Sequence, residues 1–189
     1  ERERAMAQEK WLLDGPKTID LDGIRRLKVG LVGGHVDIVG HDEPGVRVEV
    51  HSVVGRDLLV KVDGDRLEID HPQLRWDNWI EAFKNFGSSI RAEVSVLVPR
   101  SVAVMLGVVS AEALVSGIEA DVQLNTVSGD LVADGLTGKL TSNAVSGETT
   151  VRNHTGRVGV NTVSGDVIAS GAITHFDVDG VTSEVMLDA

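Results

Sequence analysis

Cysteine and tyrosine are absent from these 189 residues, proline occurs four times, and only three tryptophans and three phenylalanines are present. Without cysteine, disulfides and thiolate metal centres are excluded. After Phe86 the only aromatic residue is Phe176. That leaves little to build the aromatic platforms that sugar-cleaving clefts set beside paired carboxylates. An excess of basic residues is also missing. The net charge is −11, which argues against a nucleic-acid face and against electrostatic docking on anionic lipid. The longest apolar run, Val102–Val109, has eight residues, too short to span a bilayer and suited to a buried strand. The start, ERERAMAQEK, is charged and has no apolar core of a leader. Met6 reads as a native start, with a flexible extension over residues 1–10. The expected location is cytoplasmic, or the cell surface if a leader has been removed.

Motifs of catalysis are equally scarce. Val-Ser-Gly-Asp is not the G-x-S-x-G elbow of a serine hydrolase. Gly30, Gly33 and Gly34 lack dinucleotide spacing, and no P-loop occurs. His35, His41, His51, His71, His154 and His175 form no metal-ligand pattern. Asn153-His154-Thr155 is a sequon by chance in a chain read without a leader. No catalytic residue, metal or cofactor is expected.

What the chain does have is a repeat. Val109-Ser110-Ala111-Glu112, Val127-Ser128-Gly129-Asp130, Val145-Ser146-Gly147-Glu148, Val163-Ser164-Gly165-Asp166 and Val181-Thr182-Ser183-Glu184 recur every 18 residues without insertion. Other columns keep the phase: Asn125, Asn143, Asn161 and Asp179; Gly117, Gly135, Asn153 and Gly171; Val122, Leu140, Val158 and Phe176. These short Val-, Thr- and Leu-rich segments favour strands. No proline follows Pro99, so no ladder donor is missing. The expected fold is all-β, a single-stranded β-solenoid of 18-residue coils stacked about 4.8 Å apart.

Each column then receives an expected role. Val127, Val145 and Val163 point into the core. Asn125, Asn143 and Asn161 sit at a bend and bond up and down the stack as a ladder. The Gly/Asn column takes a corner of positive φ. The acidic column Glu112, Asp130, Glu148, Asp166 and Glu184 faces water, since like charges at rung spacing repel by roughly 1 kcal/mol even in water. The G-G-x-G-x-D nonapeptide of calcium solenoids is absent.

The first hundred residues are β-rich but irregular. Leu27–Val32, Val36–Val39, Val46–Val50, Leu58–Val62, Leu67–Ile69 and Val94–Val98 read as strands between Gly and Pro signals. The expected organisation is a single domain over 11–189, with irregular coils over 11–105 and regular repeats over 106–189. One segment departs from it. Trp76, Trp79, Phe83 and Phe86 fall at helical spacing, so a short aromatic helix is expected over about 76–86. It reads as a cap on the solenoid or a partner-binding face; its few basic residues do not support membrane contact.

The repeated N-T-V-S-G-D cores, preceded by an alternating lead with a glycine step (Leu27, Val29, Gly33, Val36, Ile38), resemble a bacterial family labelled β-strand-repeat or "putative adhesin" domain proteins. The resemblance covers roughly residues 24–189. It implies a β-solenoid, no known catalysis, no established cofactor, and in some relatives a link to cell-envelope stress. The expected function is a non-catalytic interaction or scaffold module that engages a protein partner or itself and no nucleic acid. The alternatives are a cation-stabilised surface adhesin and a polysaccharide-active enzyme.

Overall fold

The computed structural model describes residues 8–55, 57–71, 90–181 and 184–188. Among them there are sixteen strands and no helix. In chain order they are β1 (Gln8–Leu13), β2 (Lys17–Leu21), β3 (Arg26–Leu31), β4 (Gly33–His41), β5 (Val46–Val54), β6 (Leu58–Asp63), β7 (Arg66–Asp70), β8 (Arg91–Pro99), β9 (Ala103–Val108), β10 (Glu112–Ser116), β11 (Val122–Thr126), β12 (Leu131–Asp134), β13 (Thr137–Ala144), β14 (Thr149–Thr162), β15 (Val167–Gly180) and β16 (Val185–Asp188). The aromatic segment expected as a helix over 76–86 lies outside the described residues.

The protein is all-β, and its strands form one sheet folded into two walls. The first wall runs β7, β3, β9, β11, β13 and the second halves of β14 and β15, all parallel. The second wall runs β8, β4, β10, β12, the first halves of β14 and β15, and β16, again all parallel. In the second half of the chain the register advances by one repeat per step. Val104 pairs with Val122, Leu140, Val158 and Phe176 in succession. Ala113 does the same with Leu131, Thr149, Val167 and Val185.

The first half adds antiparallel strands to both walls. β1 and β6 extend the first beside β7, and β2 and β5 extend the second beside β8. Gln8, Glu9 and Lys10 already pair with β6, so they belong to the sheet and not to the N-terminal extension.

The core lies between the walls. Leu27, Val29, Leu31, Leu106, Leu124 and Leu140 from one meet Val36, Ile38, Val115, Leu131, Val151 and Val167 from the other in a single cluster. Each such side chain contributes roughly 1.5–3 kcal/mol by leaving water. The corner between walls carries Gly117 (φ 69°), Gly135 (φ 68°), Asn153 (φ 54°) and Gly171 (φ 131°). This is the left-handed region where glycine and asparagine meet the least steric resistance.

Candidate interaction surfaces

The repeated N-T-V-S-G-D string can be followed residue by residue. Asn143 Nδ2 donates to Asn125 Oδ1 at 2.8 Å, and Asn161 Nδ2 donates to Asn143 Oδ1 at 2.9 Å. These amides stand on the outer face of the first wall. The next residue points inward: Thr126 and Thr162 are buried. Thr126 Oγ1 accepts the Gly129 N–H at 2.9 Å and donates to the Gly129 carbonyl at 3.1 Å; Thr162 does the same with Gly165. The serine column bonds down the stack. Ser128, Ser146 and Ser164 hydroxyls donate to the carbonyls of Val109, Val127 and Val145. The glycine column lets the rungs touch: a Cβ on Gly129, Gly147 or Gly165 would overlap the carbonyl oxygen of Ala111, Gly129 or Gly147. Asp130 Oδ1 and Asp166 Oδ1 each accept the backbone N–H of the acid one repeat later, Glu148 and Glu184.

The valine column requires a correction. Val127, Val145 and Val163 do not enter the core. Val145 is 41% exposed and Val163 48%, and Val127 is half-buried. The cause is strand alternation, which places residues 122, 124 and 126 inside and 127 outside. The hydroxyl of Thr126, satisfied by Gly129, removes the cost that would otherwise keep a polar side chain out of the core. Between the asparagine and valine columns runs a groove of about 530 Å³, lined by Asn125, Asn143, Val145, Asn161, Val163 and Val181 among others. Beyond it the same column continues through Val109, Val32 and Ile90, which pack together with Val127 resting against them. Exposure of the valines then rises from 1% at Val109 to 78% at Val181.

Two charged columns flank this architecture. On the second wall Glu93 and Glu112 align with His35, and the exposed Asp130, Glu148, Asp166 and Glu184 continue the line. On the first wall Arg66 aligns with Arg26, and further along Lys139 aligns with Arg157. A second groove of about 390 Å³ lies between these cations, with Lys28, Met105 and Gln123 in its lining. Arg26 is paired with Asp65 at 2.8 Å and Arg66 with Glu68 at 3.0 Å. Lys139 and Arg157 keep the 18-residue spacing, with Asp121 one repeat before them in the same groove, whereas Arg26 and Arg66 join the line only once strands distant in the chain are in register.

Burial shifts three titratable groups. His71 is buried, both ring nitrogens lack a hydrogen-bond partner, and burial lowers its pKa to about 4. Its neighbour Asp70 is pushed up to about 6, first by burial and then by the like charge of Glu68. His154 replaces the corner positions of Ile118 and Leu136 and is equally buried. Its Nε2 lies 3.0 Å from the Gly138 carbonyl and 2.9 Å from that of Arg157, while Nδ1 has no partner. Burial lowers its pKa against the opposing pull of those carbonyls. Among the described residues no three His, Asp or Glu side chains are grouped to hold a metal ion. The candidate partner-binding residues Trp76, Trp79, Phe83 and Phe86 lie outside the described residues.

No family model matches the chain, and no curated protein matches it. Among solved structures it is similar to a putative cell adhesion protein from Clostridium sporogenes. The TM-score is 0.53 and the identity 13%, with 92% of this chain and 99% of that one covered. A putative lipid binding protein from Parabacteroides distasonis is superposed at TM-score 0.37 with 13% identity, covering 93% of this chain and 97% of that one. At these identities the first likeness shows a shared fold. No described helix is long and apolar enough to cross a membrane.

Proposed function

We infer that the chain is a β-solenoid of 18-residue coils acting as a non-catalytic interaction module, in the service of the bacterial cell envelope. The observation that carries this reading is the outer surface. Side chains repeat there in fixed columns, with amide, valine and carboxylate rows running along the stack. Such a surface offers extended contact, as repeat proteins use their long faces. The similar fold of a protein described as a putative cell adhesion protein fits the same reading, as analogy only. The test is affinity capture from the native host with immobilised protein, beside Trp76→Ala/Trp79→Ala, together with incubation on bacterial polysaccharides. Specific capture by the wild type without release of reducing sugar is expected. Sugar release would overturn the reading. Equal capture by the double variant would retire the aromatic segment as the contact.

The continuous acidic column supports a second reading, a cation-stabilised surface adhesin. A rise in melting temperature with Ca²⁺ that EDTA reverses would favour it over the first.

A further inference from the structure

One stretch of the periodic core breaks its own columns. Ser142 stands where Leu106, Leu124, Val160 and Val178 stand on the other rungs. Thr149 stands in line with Leu131 and Val167. Ala144 separates Thr126 from Thr162, so Gly147 is offered no hydroxyl of the kind that Gly129 and Gly165 bond. Ser142 and Thr149 are as buried as their apolar neighbours, yet neither hydroxyl has a hydrogen-bond partner. His154 Nδ1, at the corner that ends the same coil, has none either. Among the described residues from Ala103 onward, these three atoms are all the buried side-chain nitrogens and oxygens without a partner. A buried hydroxyl without a partner forfeits the hydrogen bonds that water would give it. The same corner carries a backbone fault. β14 and β15 slip in register between Val151 and His154, whereas β12 with β14 and β13 with β14 pair without a slip.

We propose that this coil, 137–154, is a built-in seam at which the strands from Thr155 onward open together as one unit. The stability of a stacked fold is a sum of coil terms and terms between neighbours, so opening occurs where the neighbour term is weakest. Parting the walls there, β13 from the second half of β14 and the first half of β14 from β15, lets water reach Ser142 and Thr149. The side after the coil opens rather than the side before it, because the slip lies there and fewer strands have to move. The amide bond from Asn161 to Asn143 and the hydroxyl bond from Ser164 to Val145 cross the seam and close it again. Open, the protein keeps the core of its first half and loses the last rungs of its asparagine, valine and carboxylate columns. The seam thus sets how far those columns reach. This inference goes beyond the interaction reading and does not depend on it.

Hydrogen exchange of the full chain at pH 7, read amide by amide, tests it, with Ser142→Ala/Thr149→Val as the variant. Both changes delete an unpartnered hydroxyl and add no volume, so the fold is kept. In the wild type the amides of the second half of β14 and of β15 should exchange through one shared opening, at least about tenfold faster than those of β9 and β11. The variant should slow that opening by about tenfold or more. Thr126→Val is the control. Its hydroxyl both accepts from and donates to Gly129, so deleting it should quicken exchange. Protection that declines strand by strand toward β16, with no shared opening, would overturn the proposal, since that is fraying. Unchanged exchange in the variant would overturn it as well. Faster exchange in the variant would do the same, because internal water would then be holding the two hydroxyls. Slower exchange in Thr126→Val would also sink it, by showing that any apolar replacement has this effect. None of these outcomes bears on partner capture, so the interaction reading is tested separately.

Discussion

The two halves of the molecule build the same two walls by different means. Between Ala103 and Asp188 the register advances by one 18-residue repeat per pairing, every wall pairing is parallel, and the same residue types return to the same columns. Before Pro99 it finishes the walls with antiparallel strands, β1 and β6 on one and β2 and β5 on the other. Contacts in the periodic half are made to the next rung, so a fault in one residue type recurs through the stack. Faults in the first half stay local.

Glycine shows the difference between a stacked position and a turn, although Gly34 and Gly40 in the first half also lie against neighbouring backbone. Gly147 has no special need of positive φ; it is required because a Cβ would run into the Gly129 carbonyl of the rung beside it. Gly147→Ala should therefore cost at least about 3 kcal/mol, since the rungs must separate to admit it. Gly64, in the turn between β6 and β7, has φ of 63° and open space around it. Gly64→Ala meets only local backbone strain and should cost about 1–2 kcal/mol. Urea unfolding of the two variants checks this, and equal losses would break the distinction between stacked and turn glycines.

Acid separates the halves next. His71 has a folded pKa lowered from 6.5 to about 4. Its neutral form is favoured on folding, so its contribution is full above pH 6.5 and fades as pH falls toward 4. The shift corresponds to about 3 kcal/mol at most. Asp70 acts in the opposite direction: its pKa is raised from 3.8 to about 6, so its charge costs stability above pH 6 and the cost is relieved as pH falls toward 4. Side by side, the two largely cancel. Asp70→Asn should raise stability at pH 7 and uncover a steeper loss between pH 6.5 and 4. In the periodic half His154 has no such neighbour, and its lowered pKa adds a loss on acidification. His154→Leu, matching Leu136 in the same column, should remove that loss. Hydrogen exchange of the β13–β15 amides at pH 7 and 5 reads the second change, and urea melts the first. Unchanged acid sensitivity in His154→Leu would place the switch elsewhere.

How much of this could be read before the structure follows from the same division. The corner column 117, 135, 153 and 171 was legible because positive φ is a property of single residues. The strands of the first half were legible from apolar alternation, but their antiparallel partners were not, since pairings such as Val60 with Ile69 and Val48 with Val96 follow no period. The valine groove was misread for a specific reason. Hydrophobicity put Val127 inside, whereas unbroken alternation from Val122 puts Thr126 inside and Val127 outside. The pattern outranked the residue type because Gly129 satisfies the threonine hydroxyl. The glycine of V-S-G-D is constrained by the neighbouring strand, a contact that no single repeat can display.

A smaller effect belongs to the asparagine ladder. Asn143 donates to Asn125 and accepts from Asn161, so Asn143→Ala removes two bonds and leaves two half-exposed amides to water. A loss of about 1–2 kcal/mol is expected in thermal melts. Asn125→Ala breaks one side-chain bond within the ladder and should cost less. If the order is reversed, the ladder is not the source of the stabilisation.

The acidic column should matter least for folding. Its members are exposed, their mutual repulsion is weakened by water and salt, and Asp130 and Asp166 use one oxygen each to hold the next rung's N–H. Glu148→Gln/Asp166→Asn keeps those acceptors and removes two charges, so its stability should stay within about 0.5 kcal/mol of wild type. Millimolar Ca²⁺ followed by EDTA should likewise leave the melting temperature of the wild type unmoved. A calcium-dependent rise that this variant loses would show the periodic half to be held together by cations as well as by its bonded columns.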